Sequence, residues 1–261
     1  MSLKEARVGK EWLNESKYEK YFVDDHSFYI RNSSDVDVIK EVFVLDGYKL
    51  KQKIKEPKVV FDIGGHIGTF SYLAKTLWND VTIIFVEPNT ESMNIAKKNL
   101  RSFDGIHFFD GAMKYNKSEN FYIDAVGTLL SNGTKVGTGT GIMVDSDFKM
   151  ENLIEWKQDE GYSSNVFAVE SNIKLHTIED LMKSVKINKI DLLKLDCEGG
   201  EIEFFKNFSL IDSVYDFLGE FHYNIADFYF TMRNKFPKHK LSLEADFSHQ
   251  GLFWGERHPT Y

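Results

Sequence analysis

One stretch of the sequence decides the fold: Val59-Val60-Phe61-Asp62-Ile63-Gly64-Gly65-His66-Ile67-Gly68. Its first half is a short apolar run that ends in glycines, which is typical of a buried parallel strand. The apolar side chains that follow recur at the spacing of one helix face, at Phe70, Leu73, Ala74 and Leu77. The stretch therefore predicts a strand, a tight glycine turn and a helix in succession.

The rest of the chain repeats this alternation. Further apolar runs predict strands at Val81–Val86, Ile106–Phe109, Ile190–Leu195 and Val214–Phe221. Thr90 is predicted to cap one helix, and a capping box from Thr177 to Asp180 opens another. A later helix face and a closing antiparallel pair are predicted from Ile225, Phe228, Tyr229 and Met232, and from Lys240–Phe247 and Leu252–Trp254. This pattern predicts an α/β fold: a doubly wound, mostly parallel sheet with helices on both sides and ligands at the carboxyl ends of its strands.

Two regions depart from the alternation. Residues 1–56 are predicted to form an N-terminal extension or cap on a domain of residues 57–261. Within the extension, Glu11–Phe22 has the mixed charges and aromatics of a short amphipathic helix, whereas strands are predicted at Ser27–Ile30 and Val36–Val44. Gly127–Gly141 holds five Gly and four Thr without apolar periodicity, which predicts a mobile loop or hairpin.

Composition narrows the class of partner. The formal net charge is −8 and no clustered basic face is visible, so a nucleic-acid partner is disfavoured and a small molecule is expected. The single cysteine, Cys197, fits a reducing cytoplasm. Met1–Lys10 has no apolar core typical of a signal peptide, and no apolar run is long enough to span a bilayer. We therefore expect a soluble, cytoplasmic protein without a membrane partner, and the sequence leaves open a homo-oligomer.

The glycine turn favours one kind of ligand. Gly64, Gly65 and Gly68 follow the pattern G-G-x-x-G, whereas a dinucleotide turn is expected to read G-x-G-x-x-G. Asp62 directly precedes the turn, where its carboxylate would repel a pyrophosphate and attract the ammonium of a methionine moiety. The turn therefore predicts S-adenosylmethionine as cofactor, although a glycine turn can also join a strand to a helix without binding any ligand.

Further cofactor contacts follow from position along the strands. Glu87 ends the second predicted strand, where a carboxylate can accept hydrogen bonds from both ribose hydroxyls. Asp110 ends the third strand and is predicted to reach the adenine amino group, with Ala112 leaving room for the ring. His66, inside the glycine turn, is assigned to the cofactor site together with the glycines.

Several segments resemble a known family. Val60–Phe70, Glu87-Pro88 and Leu175–Phe205 are similar to the FkbM-type methyltransferases. Within them, Leu192–Glu201 resembles the family signature Lys-x-Asp-x-Glu-Gly-x-Glu, and Thr177–Leu181 resembles its Thr-Leu-Asp-Asp-Leu element. The resemblance covers about residues 57–222.

The resemblance implies a Rossmann-like fold with the seven-stranded sheet of class I methyltransferases. It also implies S-adenosylmethionine as donor and methylation of a hydroxyl oxygen on a sugar, polyketide or other secondary metabolite. Two features depart from the family pattern. His66 stands where the family usually has Asn, and residues 120–168 are longer and richer in glycine than expected. The second departure leaves the substrate class open.

Catalytic candidates lie at the ends of the fourth and fifth strands. Methyl transfer to a hydroxyl needs a positioned base, and the candidates are Asp196, Glu198, Glu220 and His222. Lys194 lies two residues before Asp196, so both side chains are expected on one sheet face, where the pair would keep Asp196 ionised. Lys194 has an equally good interpretation as a structural strand lysine.

Three other interpretations of the same residues remain open: a metal site, an oxidoreductase and a binding domain without activity. The carboxylates and His222 could bind a divalent metal, but their spacing specifies no ion, and we predict no metal. The fold would also suit an NAD-dependent oxidoreductase or a cofactor-binding domain without activity. The expected function is nevertheless an S-adenosylmethionine-dependent O-methyltransferase acting on a hydroxyl of a small molecule, sugar or secondary metabolite.

Overall fold

A computed structural model describes residues 7–9, 18–114, 120–124, 128–129, 135–136, 141–144, 168–171, 174–197, 200–222, 224–247 and 250–258. The strands are β1 Arg7–Gly9, β2 Glu19–Val23, β3 His26–Ile30, β4 Val59–Ile63, β5 Thr82–Glu87, β6 Ile106–Asp110, β7 Ala112–Met113, β8 Asn120–Asp124, β9 Thr128–Leu129, β10 Lys135–Val136, β11 Gly141–Val144, β12 Ala168–Ser171, β13 Leu175–His176, β14 Ile190–Leu195, β15 Val214–Phe221, β16 His239–Phe247 and β17 Gln250–Arg257. The α-helices are α1 Ser33–Ile39, α2 Leu50–Lys53, α3 Thr69–Leu77, α4 Thr90–Asn99, α5 Ile178–Ser184, α6 Glu201–Asn207 and α7 Ile225–Lys235. A π-helix, Lys40–Val44, continues α1, and Ile211–Ser213 forms a 3₁₀ turn.

The main sheet has seven strands in the order β16-β17-β15-β14-β4-β5-β6. The five strands from β15 to β6 are parallel, and β17 pairs antiparallel with both β15 and β16. The order reverses between β4 and β14, which is where an open parallel sheet binds its ligands. The predicted doubly wound, mostly parallel sheet is confirmed.

Strand periodicity divides the core into two layers. Along β4, Val60 packs on one face, among the buried side chains of α3 and α4, whereas Phe61 packs on the other face, among those of α5, α6 and α7. Successive side chains of a strand point to opposite faces, so the apolar residues of β4 contribute to both layers. Buried side chains of β2 and β3 belong to the first layer, so the N-terminal region shares the core of the sheet.

The N-terminal predictions are partly wrong. Val36–Val44, predicted as a strand, is helical, because the side chain of Asn32 accepts the N–H of Ser34 and starts α1. Within the predicted helix Glu11–Phe22, the residues from 19 onward form β2, which is held by antiparallel pairing with β3. Most of the remainder of that predicted helix lies outside the described residues. The strand predicted at Ser27–Ile30 is confirmed as β3.

Smaller differences concern caps and surface positions. Asn89, not Thr90, caps α4, since its side chain accepts the N–H groups of Glu91 and Ser92. Thr177 caps α5 as predicted. Tyr229 is 40% exposed and does not belong to the buried face of α7. Most of Gly127–Gly141 lies outside the described residues, although within it β9 and β10 pair antiparallel. In the part of the chain that the structure describes, no helix combines the length and apolarity needed to cross a bilayer.

Candidate active site

A cleft opens at the carboxyl ends of β4, β5 and β14, beside the reversal of strand order. It encloses about 900 Å³ when its open mouth is included. The lining residues are Val38, Glu41, Val42, Tyr48, Ile63, Gly64, His66, Val86, Glu87, Pro88, Gly111, Ala112, Met113, Asp196, Cys197 and Glu220.

A buried ion pair lies beneath the cleft. In the parallel register of β4 and β14, Asp62 stands opposite Lys194, and the Lys194 Nζ lies 3.3 Å from the Asp62 Oδ1. The Asp62 side chain is fully buried, and its Oδ2 accepts a hydrogen bond of 2.6 Å from the Ser71 hydroxyl. Burial lowers the pKa of Lys194, but the charges of Asp62 and Asp196 outweigh it, and the net shift is upward. Lys194 is therefore a cation at neutral pH.

Because Asp62 pairs with Lys194, its charge is not available to a ligand in the cleft. Asp62 was predicted to attract the cofactor's ammonium, yet its carboxylate faces Lys194 and does not line the cleft. The acidic character of the cleft instead comes from side chains that do line it: Glu41, Asp196 and Glu220. These carboxylates still favour a cationic ligand over a pyrophosphate.

Two glycines of the turn are required by packing. Gly64 has φ +72°, and a Cβ there would lie 1.7 Å from the carbonyl oxygen of Asp196. A Cβ at Gly65 would lie 2.2 Å from the ring of Phe85. Both positions therefore exclude any side chain, whether or not a ligand approaches the turn.

Glu87, at the carboxyl end of β5, is held by two backbone N–H groups. Its Oε2 accepts the backbone N–H of His66 at 2.8 Å, and its Oε1 accepts that of Asn89 at 2.7 Å. Burial raises the pKa of Glu87 to about 7, against the opposing effect of these two hydrogen bonds. Each carboxylate oxygen can accept a second hydrogen bond, so Glu87 suits a pair of ribose hydroxyls.

His66 is held by two residues of the N-terminal region. Its φ of +52° is in the left-handed region, which non-glycine residues seldom adopt. Its Nε2 lies 2.7 Å from the Arg31 Nη2 and 3.3 Å from the Asp35 Oδ1. Burial, together with the charges of Arg31 and Lys194, lowers the pKa of His66 to about 4, although Asp35 opposes the shift. The imidazole is therefore neutral at physiological pH.

Sequence reasoning missed Tyr48. Its hydroxyl donates a hydrogen bond of 2.9 Å to the Asp196 Oδ2, across 148 positions of sequence. Burial and the nearby charges of Asp196 and Glu220 raise the pKa of Tyr48 well above its usual value, so the phenol keeps its proton. No local sequence signal marks Tyr48, because the contact depends on the packing of the N-terminal region against the sheet.

The remaining catalytic candidates meet beside Asp196. The His222 Nδ1 lies 3.4 Å from the Glu201 Oε1, and its Nε2 lies 3.7 Å from the Glu220 Oε1. Ligand atoms of Asp196, Glu220 and His222 lie within 4.8 Å of one another, a grouping that a divalent cation could bridge. Our expectation of no metal therefore stays a prediction. Glu198 lies outside the described residues.

The two predicted adenine contacts differ in position. Ala112 is buried and lines the cleft together with Gly111 and Met113. The side chain of Asp110 is 62% exposed, lies 3.4 Å from the Lys97 Nζ and does not line the cleft. Successive side chains of a strand point to opposite faces, and at the end of β6 this places Asp110 on the side away from the cleft.

Comparison with known proteins gives a family and a set of distant folds. Residues 62–248, more than half of the chain, match the family model described as the methyltransferase FkbM domain. Comparison with curated proteins returned no match.

Among solved structures, the chain has weak similarity to several proteins, three of which follow. Precorrin-6y C5,15-methyltransferase of Geobacter metallireducens has 9% identity and a TM-score of 0.43, over 83% of this chain and 88% of that chain. TrmK of M. capricolum, solved with S-adenosyl-homocysteine, has 13% identity and a TM-score of 0.44, over 84% and 69%. A ribosomal protein L11 methylase of Lactobacillus delbrueckii subsp. bulgaricus has 12% identity and a TM-score of 0.43, over 82% and 77%.

Proposed function

This chain belongs to the FkbM methyltransferase family, and on that premise we propose that it methylates a hydroxyl oxygen of a small molecule or saccharide. S-adenosylmethionine is the methyl donor, as predicted. The observation that carries the proposal is that Asp196 and Glu220 line the same cleft as Glu87, and that a ring nitrogen of His222 lies within 4.8 Å of the carboxylate oxygens of both. A donor site and a set of proton acceptors thus share one cavity.

The residues of the cleft fit the donor. Glu87 would hold the ribose hydroxyls, and the apolar walls at Val86, Ala112 and Met113 suit the flat adenine. The carboxylates of Asp196 and Glu220 suit the positive charges of the ammonium and sulfonium groups. The buried Nδ1 of His66 has no hydrogen-bond partner among the described residues, which fits a ligand that brings an oxygen acceptor.

Methyl transfer assigns distinct tasks to the acceptor side of the cleft. The bound donor would supply an electrophilic methyl group. The acceptor oxygen forms a bond to the methyl carbon as the carbon–sulfur bond breaks, and the hydroxyl proton passes to a base on the protein. Asp196, fixed by Tyr48, would orient the acceptor hydroxyl.

We assign the base to His222. Its Nε2 lies on the side of Glu220, which lines the cleft, and would receive the proton. Glu201, 3.4 Å from Nδ1, and Glu220, 3.7 Å from Nε2, would stabilise the imidazolium that results. Histidine ordinarily titrates near neutrality, which suits a base. Lys194 cannot serve, because its ammonium is buried and donates a hydrogen bond of 2.6 Å to the carbonyl of Gly64.

The acidic balance of the chain supports a small acceptor rather than a polynucleotide. The net charge is −8, and the cleft itself is lined by carboxylates, so a phosphate backbone would be repelled. A neutral polyol or phenol carries no such penalty. We further propose that residues 1–56 form a cap on the methyltransferase domain of residues 57–261, since Val38, Val42 and Tyr48 help to line the cleft. A cytoplasmic location remains a proposal from the single cysteine.

The experiment measures release of S-adenosylhomocysteine with panels of saccharides, phenols, amines and short RNAs. We expect turnover with a hydroxyl acceptor, and a His222→Gln variant that loses turnover while it binds S-adenosylhomocysteine normally. His107→Gln is the matched control, because His107 is exposed on β6. Turnover confined to amines or RNA contradicts the proposal. Binding without turnover on any acceptor would favour the inactive domain, and tighter binding of NAD than of S-adenosylhomocysteine would favour the oxidoreductase.

A further inference from the structure

Arg31 stands just after β3, outside residues 62–248 that match the family. Its guanidinium is 8% exposed and makes two hydrogen bonds to the fully buried Asp35, at 3.1 Å from Nε and 2.8 Å from Nη2. Its Nη1 donates to the hydroxyl of Ser92 on α4 at 3.0 Å. Three hydrogen bonds to two residues thus fix the Arg31 guanidinium, and its Nη2 also contacts His66.

This contact determines which nitrogen of His66 carries the proton. A guanidinium can only donate, so the Nε2 of His66, 2.7 Å from the Arg31 Nη2, accepts in this contact. The other tautomer would donate from Nε2 to the Asp35 Oδ1, which is farther away, at 3.3 Å, and would leave the Arg31 contact without an acceptor. The proton of the neutral ring is therefore on Nδ1. That Nδ1 is buried, without a hydrogen-bond partner among the described residues, in a side chain that lines the cleft next to Gly64 and Glu87. A buried N–H group without an acceptor is unfavourable, so a ligand oxygen would be stabilised there.

We propose that Arg31 is a positioning residue for the methyl donor: it fixes His66 as the Nδ1-protonated tautomer, and this N–H donates to an oxygen of the bound donor. The inference rests on the proposed function, because it takes S-adenosylmethionine as the ligand of the cleft. Two oxygens of the donor share the required chemistry, a ribose hydroxyl and the carboxylate of the methionine moiety. Arg31 acts through His66 and does not itself line the cleft.

Calorimetric titration with S-adenosylhomocysteine tests the link between the two residues. Arg31→Met should weaken binding about tenfold, the effect of one net hydrogen bond. In a His66→Asn background, the same substitution should have less than about a twofold effect, because the residue through which Arg31 acts is gone. Arg101→Met, at an exposed arginine, is the matched control. Equal losses in both backgrounds, or no loss in either, would overturn the inference.

A second ligand shows which oxygen of the donor accepts the hydrogen bond from His66. 5′-Methylthioadenosine keeps the ribose of the donor and lacks its amino-acid end. A loss by Arg31→Met with S-adenosylhomocysteine alone assigns the acceptor to the carboxylate, and a loss with both ligands assigns it to the ribose. Failure of the wild-type protein to bind either ligand would refute the proposed cofactor site itself, which is a different outcome from an effect of Arg31 that does not depend on His66.

The tautomer can be read in the wild-type protein, with a variant used only to assign the signals. Long-range ¹H–¹⁵N spectra of histidine-labelled protein at pH 7 distinguish protonated from unprotonated ring nitrogens. His66 is identified by the signals that disappear in His66→Asn. We expect Nδ1 protonated and Nε2 unprotonated, and the opposite pattern would overturn the proposal even if Arg31→Met fails to fold.

Discussion

Replacing Lys194 by Met should strongly destabilise the fold, because it leaves the charge of Asp62 buried and unpaired. Asp62 is fully buried, and Lys194 is 4% exposed, so little water can replace the lost ammonium. Breaking a buried pair costs about 3–5 kcal/mol in free energy of unfolding. The lost hydrogen bond to Gly64 adds about 1 kcal/mol. With a urea m value of ~3 kcal/mol per molar, the unfolding midpoint should fall by roughly 1 to 2 M.

The assay is urea unfolding followed by tryptophan fluorescence, since the chain has four Trp. Lys75→Met is the matched control: Lys75 is equally buried, but it donates to the carbonyls of Asn79 and Val81, so its loss leaves no unpaired charge. Asp62→Asn combined with Lys194→Met should recover a large part of the loss, because both charges are then gone. A Lys194→Met midpoint no lower than that of Lys75→Met, or a double variant less stable than the single one, would refute the reasoning.

Further expectations concern the cleft. The pKa of Glu87 is raised to about 7 in the native state, whereas an unfolded Glu titrates near pH 4.5. The stability of the wild-type protein should therefore fall relative to that of Glu87→Gln as the pH rises from 4.5 to 7, by about 3 kcal/mol in urea titrations. Parallel curves for the two proteins would contradict this. Asp196→Asn should lower the methylation rate more than the affinity for S-adenosylhomocysteine, and an unchanged rate would remove Asp196 from the chemistry. Tyr48→Phe should lower the rate by about tenfold through loss of one hydrogen bond, with binding unchanged. Chelation by EDTA should leave the rate unchanged, whereas loss of activity restored by a divalent cation would assign a metal to Asp196, Glu220 and His222.

The strands of the core were predictable because a strand that is buried on both faces is apolar over most of its length. Val59–Ile63 and Ile190–Leu195 are mostly apolar runs, and each forms a central strand of the sheet. The placement of Glu87 at a strand end was likewise sufficient to bring it to the cleft. These features depend on a few neighbouring residues, so a single sequence carries them.

The parts that could not be predicted depend on contacts between distant residues. The valines of Val36–Val44 favour a strand locally, but packing of Ile39 and Phe43 in the core outweighs that preference and the segment is helical. Asp62 was assigned to the ligand because its partner, Lys194, lies across a strand register that the sequence does not display. Tyr48 was missed for the same reason: it reaches Asp196 because the N-terminal region packs against the sheet, and nothing in the local sequence shows that contact.

The contact between Gly64 and the main chain of Asp196 has a consequence for how the site can change. Because a single added carbon at Gly64 would collide with the carbonyl of Asp196, the glycine turn after β4 and the end of β14 cannot move independently of each other. An enlargement at one cannot be absorbed without displacing the other. New acceptor specificity is therefore expected to come from the outer walls of the cleft, at Val38 and Glu41, which do not contact Gly64 or the main chain of Asp196 in this way.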